Sequence, residues 1–403
     1  MTLHRRTFRI ATVGLGLAGV VSLVAGPALA SAGVSPVTAA NSTVMSLRPQ
    51  HGTVDAFGSN EYGELGIGST VFDSPVRVQV HGLTGVISVA GGRFSGYALR
   101  ANGTVYAWGS NFVGQLGNGT TITESLVPVQ VRGLTHITAI AAGAVDGYAL
   151  RSDGTVYAWG LNVYGELGNG TTTVSRVPVR VRGLAHITAI AGGADDGYAL
   201  RSGGTVYAWG NDEQGELGNG TTAPASHVPV QVRGLAHVTA IAGGADAGYA
   251  LRSGGTMYAW GGNAKGQLGN GAITNSRVPV RVRGLTGVIA IAGGMYAGYA
   301  LHADRTVSAW GYNNLGELGN GTTIDSHVPV HVRKLTGVIA IAGGGLSGFA
   351  LRANGTVYAW GDNGSGELGN GSTTDSHVPV QVRSLTGVSA IAGAEDTGYA
   401  IVR

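Results

Sequence analysis

The stretch Gly147-Tyr148-Ala149-Leu150-Arg151-Ser152-Asp153-Gly154-Thr155-Val156-Tyr157-Ala158-Trp159-Gly160 decides the fold, because it returns along the chain with few changes. It holds two apolar runs of strand length separated by Asp-Gly, a dipeptide typical of a tight hairpin turn. The aromatic residue before its final Gly recurs at spacings of 51, 51, 50, 51, 50 and 50 residues, at Phe57, Trp108, Trp159, Trp209, Trp260, Trp310 and Trp360. A repeat of this length predicts one structural unit per copy.

Two further runs complete each copy, as at residues 177–182 and 187–191, and none has a helical period. A lone four-stranded sheet leaves two faces and two edges uncovered. Radial packing of seven such sheets covers them, so the sequence predicts an all-β, seven-bladed β-propeller with four antiparallel strands per blade. The six Trp residues are predicted to be buried structural residues, and a β-solenoid is the alternative architecture.

The two ends of the repeat array predict how the ring closes. The run Gly398-Tyr399-Ala400-Ile401-Val402 adds an extra copy of the Gly-Tyr-Ala-Leu strand at the C-terminus. We therefore expect residues 388–402 to share one blade with residues 53–80. Residues 44–47 compete for the same place, because Leu47-Arg48 is similar to Leu99-Arg100.

The first 30 residues are typical of an export signal. Arg5, Arg6 and Arg9 precede an uncharged apolar run, and Ala28-Leu29-Ala30 forms a small-x-small cleavage site. Arg5-Arg6-Thr7-Phe8 resembles the twin-arginine motif, so either the general or the twin-arginine pathway is possible. We expect residues 1–30 to be a signal peptide, 31–43 a linker and 44–403 the propeller, in a secreted or cell-surface protein. The alternative for the first segment is an uncleaved amphipathic tail.

Charge and cysteine content restrict the partners. The formal net charge of +3 comes down to about neutral once Arg5, Arg6 and Arg9 are removed, and the chain has no cysteine. The sequence shows no basic surface of the kind that holds nucleic acid. We predict a monomer that binds an unknown extracellular or cell-surface protein, with no nucleic acid, no membrane span in the mature chain and no disulfide.

The run Trp159-Gly160-Leu161-Asn162-Val163-Tyr164-Gly165-Glu166-Leu167-Gly168-Asn169-Gly170 resembles the repeat signature of the regulator of chromosome condensation family. The resemblance covers all seven copies and implies a seven-bladed propeller of the secreted bacterial type. Eukaryotic members exchange nucleotides on a small GTPase and bind chromatin, whereas a secreted bacterial propeller of similar architecture inhibits β-lactamases. The family's usual His is replaced here by Ser95, Asp146, Asp196, Ala247, Ala297, Ser347 and Thr397.

These features favour a secreted protein-interaction module, as an enzyme inhibitor or a cell-surface scaffold. Cell-wall glycan binding and a nucleotide-exchange regulator are the alternatives, and export argues against the regulator. No enzyme is predicted, because no Ser-His-Asp set, carboxylate pair or phosphate-binding loop stands out. We predict no cofactor, no catalytic residue and no metal site.

Antiparallel strands place the variable loops on one face and the uniform turns on the other. On the variable face we predict an acidic sector and an apolar sector that together hold a partner with an apolar anchor flanked by basic groups. The acidic sector comprises Asp146, Asp195, Asp196, Asp212, Glu213 and Asp246. The apolar sector comprises Phe94, Phe112, Met295, Tyr296, Leu315 and Leu346, with Tyr62 and Tyr164 nearby. The alternative is that these side chains fold under their own loops.

Repeated polar residues favour structural roles. Asn162 and Glu166, like Asn60 and Glu64, could suggest cation sites, but Gln replaces Glu at positions 115 and 267, which favours bonds within the loop. The recurrent histidines lie on different blades and would not converge on one metal. The arginines at 132, 182, 233, 283, 333 and 383 are expected to cover apolar surface, with an anion-binding ring as the alternative.

Overall fold

The computed structural model describes residues 52–69 and 72–403, which form 28 β-strands in seven four-stranded sheets. The sheets follow one another around a central axis, so the predicted seven-bladed β-propeller is confirmed. The predicted signal peptide and linker, and the competing segment 44–47, lie outside the described residues. Among the described residues, no helix has the length and apolar character needed to cross a bilayer.

The first half of the described chain contributes two strands to the closing blade and then forms three complete blades. The first two strands are β1 (Thr53–Ser59) and β2 (Asp73–Gln79). Blade 1 contains β3 (Val86–Gly91), β4 (Ser95–Arg100), β5 (Val105–Ser110) and β6 (Glu124–Gln130). Blade 2 contains β7 (Ile137–Ala142), β8 (Asp146–Arg151), β9 (Val156–Gly160) and β10 (Ser175–Arg180). Blade 3 contains β11 (Ile187–Gly192), β12 (Asp196–Arg201), β13 (Thr205–Asn211) and β14 (Ala225–Gln231).

The second half forms blades 4 to 6 and then completes the closing blade. Blade 4 contains β15 (Val238–Gly243), β16 (Ala247–Arg252), β17 (Thr256–Gly261) and β18 (Ser276–Arg281). Blade 5 contains β19 (Val288–Gly293), β20 (Ala297–His302), β21 (Val307–Gly311) and β22 (Ser326–His331). Blade 6 contains β23 (Val338–Gly343), β24 (Ser347–Arg352), β25 (Val357–Gly361) and β26 (Ser376–Gln381). The last strands are β27 (Val388–Gly393) and β28 (Thr397–Val402).

Blade 7 joins the two ends of the chain in the order β2-β1-β28-β27. Strand β1 pairs antiparallel with β28, with Thr53 opposite Val402 and Phe57 opposite Gly398. The predicted closure of the ring by residues 388–402 and 53–80 is therefore confirmed. Each end supplies two strands, so neither end can leave without exposing a sheet edge.

The six Trp side chains, predicted to be structural, are fully buried between neighbouring blades. Each Trp lies over a Gly of the adjacent strand, and a Cβ added to Gly197 would lie 2.5 Å from Trp209 Cε2. All six meet a Tyr of the preceding blade edge to face, as Trp209 meets Tyr148 with ring centroids 6.0 Å apart. Such edge-to-face pairs add to the burial of large apolar surfaces.

Candidate functional site on the loop face

The two ends of the blades differ in the connections that they carry. One end, which we call the loop face, carries two kinds of connection. These are the short tips between the first and second strands of each blade and the long loops between the third and fourth strands. Its tip and long loop meet in blade 1, where Ser110 N donates to the Phe94 carbonyl at 2.7 Å. The hairpin face carries the second-to-third-strand hairpins and the connections between blades. A Cβ added to Gly103 of one such hairpin would lie 3.3 Å from His136 Cα in the next connection.

Each long loop is held by its own Asn and Glu. Asn162 Oδ1 accepts the Leu167 N–H at 2.9 Å, and Glu166 Oε2 accepts the Tyr164 N–H at 2.9 Å. Gln115 Oε1 accepts the Val113 N–H at 3.0 Å in the same way. The side chains suggested as cation ligands therefore support the loop, as the Gln replacements indicated.

Burial shifts the loop carboxyl groups toward the protonated form. It raises the pKa of Glu64, Glu166, Glu216 and Glu317 to about 7, even though their hydrogen bonds from backbone N–H groups act in the opposite direction. The pKa of Glu367 rises to about 8, again mainly through burial. These five groups bring less negative charge to the loop face near neutral pH than their number suggests.

The tips form a closed circle around the axis, which we call the tip ring. Six backbone hydrogen bonds connect neighbouring tips, and in each the N–H of one tip donates to the carbonyl of the next. In order, the residues are Arg93, Ala144, Ala194, Ala245, Met295, Gly345 and Glu395. Blades 7 and 1 are joined by a salt bridge, in which Arg93 Nε lies 2.6 Å from Glu395 Oε2. The tip ring therefore links all seven blades at the axis.

An aromatic patch lies where blade 7 meets blade 1. Tyr62 packs against Phe94 with the rings tilted by 55° and their centroids 4.9 Å apart, and it meets Phe112 edge to face at 5.9 Å. The Arg93 guanidinium lies 4.8 Å from the Phe94 ring centre. Phe112 is 56% exposed, so the patch presents an aromatic ring to solvent. An exposed ring of this size is typical of an interaction surface.

A second apolar group, the tyrosine patch, lies on blades 5 and 6. Tyr296 and Leu346 pack on the buried Met295, and Tyr296 also meets the edge of Tyr312 at 6.2 Å. Lys265 Nζ lies 5.0 Å from the centre of the Tyr312 ring. Tyr296 and Leu346 are half-buried, so they offer part of their surface to a partner.

The prediction of one continuous apolar sector is wrong, because the structure divides it into two patches. The acidic tip of blade 7, Glu395 and Asp396, lies between Leu346 of blade 6 and Phe94 of blade 1. Met295 is only 5% exposed and supports the patch from beneath, and Leu315 is half-buried with its N–H bound to Glu317 Oε2 at 3.0 Å. The apolar residues thus form two patches separated by carboxyl groups.

The surface part of the predicted acidic sector lies on blades 3 and 4 and is called the acidic edge. It comprises Asp195 and Asp246, which are half-buried, and Glu213, which is exposed. Burial and then the neighbouring Asp195 raise the pKa of Asp246 to about 6. Burial raises the pKa of the Tyr164 phenol, and the charges of Glu213 and Asp195 add to the shift. Tyr164 therefore belongs to this edge rather than to the apolar patches.

Three predicted acidic site residues are buried, so their assignment to a binding surface is wrong. Asp146, Asp196 and Asp212 are each 1% exposed. Asp196 Oδ2 accepts the Tyr198 hydroxyl at 3.0 Å, and burial holds the pKa values of Asp146 and Asp196 well above the ordinary range. Asp212 takes the place of the loop Asn, because its Oδ1 accepts the Leu217 N–H. These residues support tips and loops from within.

Sequence reasoning missed several loop-face residues. Asp362, Glu367 and Asp396 bring carboxyl oxygens within 4.8 Å of one another, a group that could in principle share one divalent cation. They come from blades 6 and 7, and repeat spacing carries no signal for such contacts across blades. Large exposed side chains also stand farther along the long loops, at Phe72, Ile122, Ile273 and Ile324.

The recurrent His and Arg residues occupy structural positions. His136, His186 and His237 have φ near 56° in the turns between blades, a left-handed conformation that Gly adopts in the equivalent turns of other blades. Arg182 lies along its own long loop, since a Cβ added to Gly170 would be 2.9 Å from Arg182 Nη1. These positions agree with the structural roles that the sequence favoured.

Comparison with known proteins places the architecture in a family. The family described as RCC1-like domain matches residues 53–400. The human E3 ubiquitin-protein ligase HERC2 is 38% identical over 124 residues, which are 30% of this chain and 2% of HERC2. The zebrafish protein RCC2 homolog is 34% identical over 139 residues, which are 34% of this chain and 27% of that protein. The matched region is thus a small part of either relative.

Solved structures show the same fold at low identity. Prp20p of Saccharomyces cerevisiae has a TM-score of 0.77 and 24% identity, over 88% of this chain and 92% of that one. Human WBSCR16 has a TM-score of 0.79 and 22% identity, over 87% of this chain and 99% of that one. Together with the family match, the repeats and the closed ring, these findings show that the chain belongs to the RCC1-like domain family.

Proposed function

We propose that this propeller is an exported protein-interaction module that holds a macromolecular partner on its loop face, as an enzyme inhibitor or a cell-surface scaffold. The observation that carries the proposal is the aromatic patch, where Phe112 remains 56% exposed beside Tyr62 and Phe94. Contiguous exposed apolar patches, such as these three neighbouring rings, mark interaction sites on proteins. Export rests on the sequence of residues 1–30 alone.

The charges around the patches specify the chemistry of the partner. The acidic tip of blade 7 lies between the two patches, and the acidic edge lies on the far side of the tyrosine patch. Each patch also has one cation against its rings, Arg93 on the aromatic patch and Lys265 on the tyrosine patch. A partner that places an apolar anchor on a patch and basic groups beside it would satisfy both features. Related propellers support a protein partner, because Prp20p was characterised with its binding to Gsp1p and histones and was solved bound to Kap60.

Catalysis and nucleotide exchange receive less support. The first strands of the blades, which line the axis, contain only Val, Ile, Ala, Ser, Thr and Gly between Val86 and Gly393. At the position where family repeats usually carry His, this chain has the buried Asp146 and Asp196 in blades 2 and 3. We therefore propose partner binding without a reaction on the bound molecule.

The test uses the whole secreted protein and separates the two patches. One variant carries Phe94→Ser and Phe112→Ser, a second carries Tyr296→Ser and Leu346→Ser, and the control carries Ile87→Ser at the other end of the axis, where Ile87 is 55% exposed. Proteins captured from the culture medium are identified, purified and titrated against all three variants. We expect a loss of at least about tenfold in affinity for one or both patch variants and none for the control.

Equal binding by all three variants would show that the loop face is not the binding surface. Capture by isolated cell wall, with no protein captured from the medium, would favour the glycan-binding alternative instead.

A further inference from the structure

The hairpin face, at the opposite end of the molecule from the loop face, carries a ring of basic side chains. The last residue of the second strand is basic in six blades, at Arg100, Arg151, Arg201, Arg252, His302 and Arg352. Several of these side chains are fixed by a carbonyl of the adjacent connection. Arg100 Nε donates to Thr84 O at 2.7 Å, and Arg252 Nε donates to Ala236 O at 2.8 Å. Arg151 is the exception, because its guanidinium is paired with Asp153. Arg201 and Arg252 make one and two hydrogen bonds within the protein, so each keeps N–H groups for a ligand.

The acidic residues lie at the opposite end of the molecule. Of the 22 Asp and Glu residues, only Asp55, Asp153 and Asp304 lie outside the loop-face connections and the strand ends beside them. The hairpin face also has Arg305 and Lys334. A nearly balanced net charge therefore hides two oppositely charged ends. The expectation from composition that no basic surface exists is wrong, because composition gives the sum of the charges and not their distribution.

The chemistry of the ring favours a flexible phosphate polymer over a membrane or a nucleic acid. Among the described residues, Ile87 is the one large exposed apolar side chain at this end, so the face has little to insert into a bilayer. The nearby Tyr rings are covered by the arginines, as Arg252 lies 5.6 Å from the Tyr258 ring centre and Arg352 lies 5.5 Å from the Tyr358 ring centre. Covered rings cannot stack on bases.

We propose that the hairpin face binds a linear, base-free phosphate polymer, with one guanidinium from each of several blades contacting successive phosphates. Arginine forks suit phosphate oxygens, and contacts from several blades add through multivalency. The acidic loop face is repelled by the same polymer, so the bound propeller turns its loop face outward. This proposal does not rest on the function proposed for the loop face.

The test measures binding of the whole protein to labelled long-chain inorganic polyphosphate by fluorescence anisotropy. The hairpin-face variant carries Arg201→Gln and Arg252→Gln, and the matched control removes two cations from the loop face through Arg176→Gln and Lys265→Gln. A third variant, Arg201→Lys with Arg252→Lys, keeps the charge. We expect about tenfold weaker binding for the first and no change for the loop-face control. The Lys variant should lose less than the Gln variant, because Lys keeps the charge but not the guanidinium fork, and affinity should fall steeply between roughly 50 and 200 mM salt.

Three results would overturn the proposal: no binding of polyphosphate at low salt, an equal loss for the loop-face control, or tighter binding of a charge-matched oligo(dT) or of phosphatidylglycerol vesicles. The last result would assign the face to nucleic acid or to a membrane. Melting curves of all variants show whether a loss of binding comes from unfolding.

Discussion

Trp108 and Tyr399 donate hydrogen bonds to the same carbonyl oxygen, that of Glu64, at 2.7 and 2.8 Å. Their rings meet edge to face with centroids 5.7 Å apart. One loop carbonyl thus ties the Trp of the following blade to the Tyr of its own blade. The arrangement recurs at the carbonyls of Gln115, Glu166, Glu216, Gln267 and Glu317.

The seventh junction, between blades 6 and 7, has Phe57 and Phe349 in place of these two donors, with ring centroids 6.2 Å apart. We predict that Phe349→Tyr stabilises the protein by about 1 kcal/mol, because the new hydroxyl can reach the Glu367 carbonyl as Tyr299 reaches that of Glu317. The reverse change, Tyr299→Phe, should cost about as much. Urea unfolding measures both, and a destabilised Phe349→Tyr variant would mean that the seventh junction lacks space for the hydroxyl.

The contact between Gly197 and Trp209 predicts a steep cost for one methyl group. A Cβ at position 197 would lie 2.5 Å from Trp209 Cε2, so Gly197→Ala should lower the melting temperature clearly. Trp209→Ala should cost about 3–5 kcal/mol through the cavity that it leaves. Gly364→Ala is the control, because its Cβ would meet nothing closer than Asp362 Oδ1 at 3.5 Å. An unchanged melting temperature for Gly197→Ala would show that the blades can separate to admit the methyl group.

The repeat predicted most of the fold because each blade repeats the same local chemistry. The spacing of the aromatic-Gly pairs set the number of blades, and the extra Gly398-Tyr399-Ala400 run identified the closing strand. Position within a blade was readable for the same reason. Asp146 could have been recognised as buried, since it alternates with Tyr148 and Leu150 on a strand that has no exposed face.

Contacts between blades could not be predicted from the sequence, because the repeat spacing does not indicate which tips meet across the ring. Glu395 and Arg93 are far apart in sequence but join the last blade to the first. The same closure places an acidic tip between Leu346 and Phe94 and so divides the expected apolar sector. The sequence analysis missed the separation of acidic and basic residues between the two faces for a related reason. Each face is built from residues of every blade, which lie far apart in the sequence.

The buried loop carboxyl groups predict that the protein is more stable in mild acid. Burial raises the pKa of Glu166, Glu216 and Glu317 to about 7, above the ordinary value of about 4.3. The folded state therefore binds more protons than the unfolded state between these values, so this stability is complete below the lower value and is lost as pH rises through about 7. We expect the free energy of unfolding to fall by on the order of 1 kcal/mol per group from pH 5.5 to pH 8.

The chain supplies its own control for this pH dependence. Gln267 Oε1 accepts the Lys265 N–H at 2.9 Å in the place of a loop Glu, so Gln is compatible with the loop. Replacing Glu166, Glu216 and Glu317 together by Gln should flatten the stability profile and leave the variant at least as stable as the parent at pH 8. The exposed Glu213→Gln should leave the slope unchanged. A slope that persists in the triple variant would assign the dependence to other groups.

The salt bridge of the tip ring predicts a pH-dependent role for Arg93. Burial, followed by repulsion from Asp396, raises the pKa of Glu395 to about 7, and Arg93 acts against this shift. Arg93→Gln should therefore raise that pKa further and destabilise the fold by about 2 kcal/mol at pH 8, where Glu395 would be a buried charge without a partner. At pH 5.5 Glu395 is mostly protonated and the loss should be smaller. Adding Glu395→Gln should recover most of the stability at pH 8, because it removes the unpaired charge; equal losses at both pH values would show that Arg93 acts through packing on Phe94 instead.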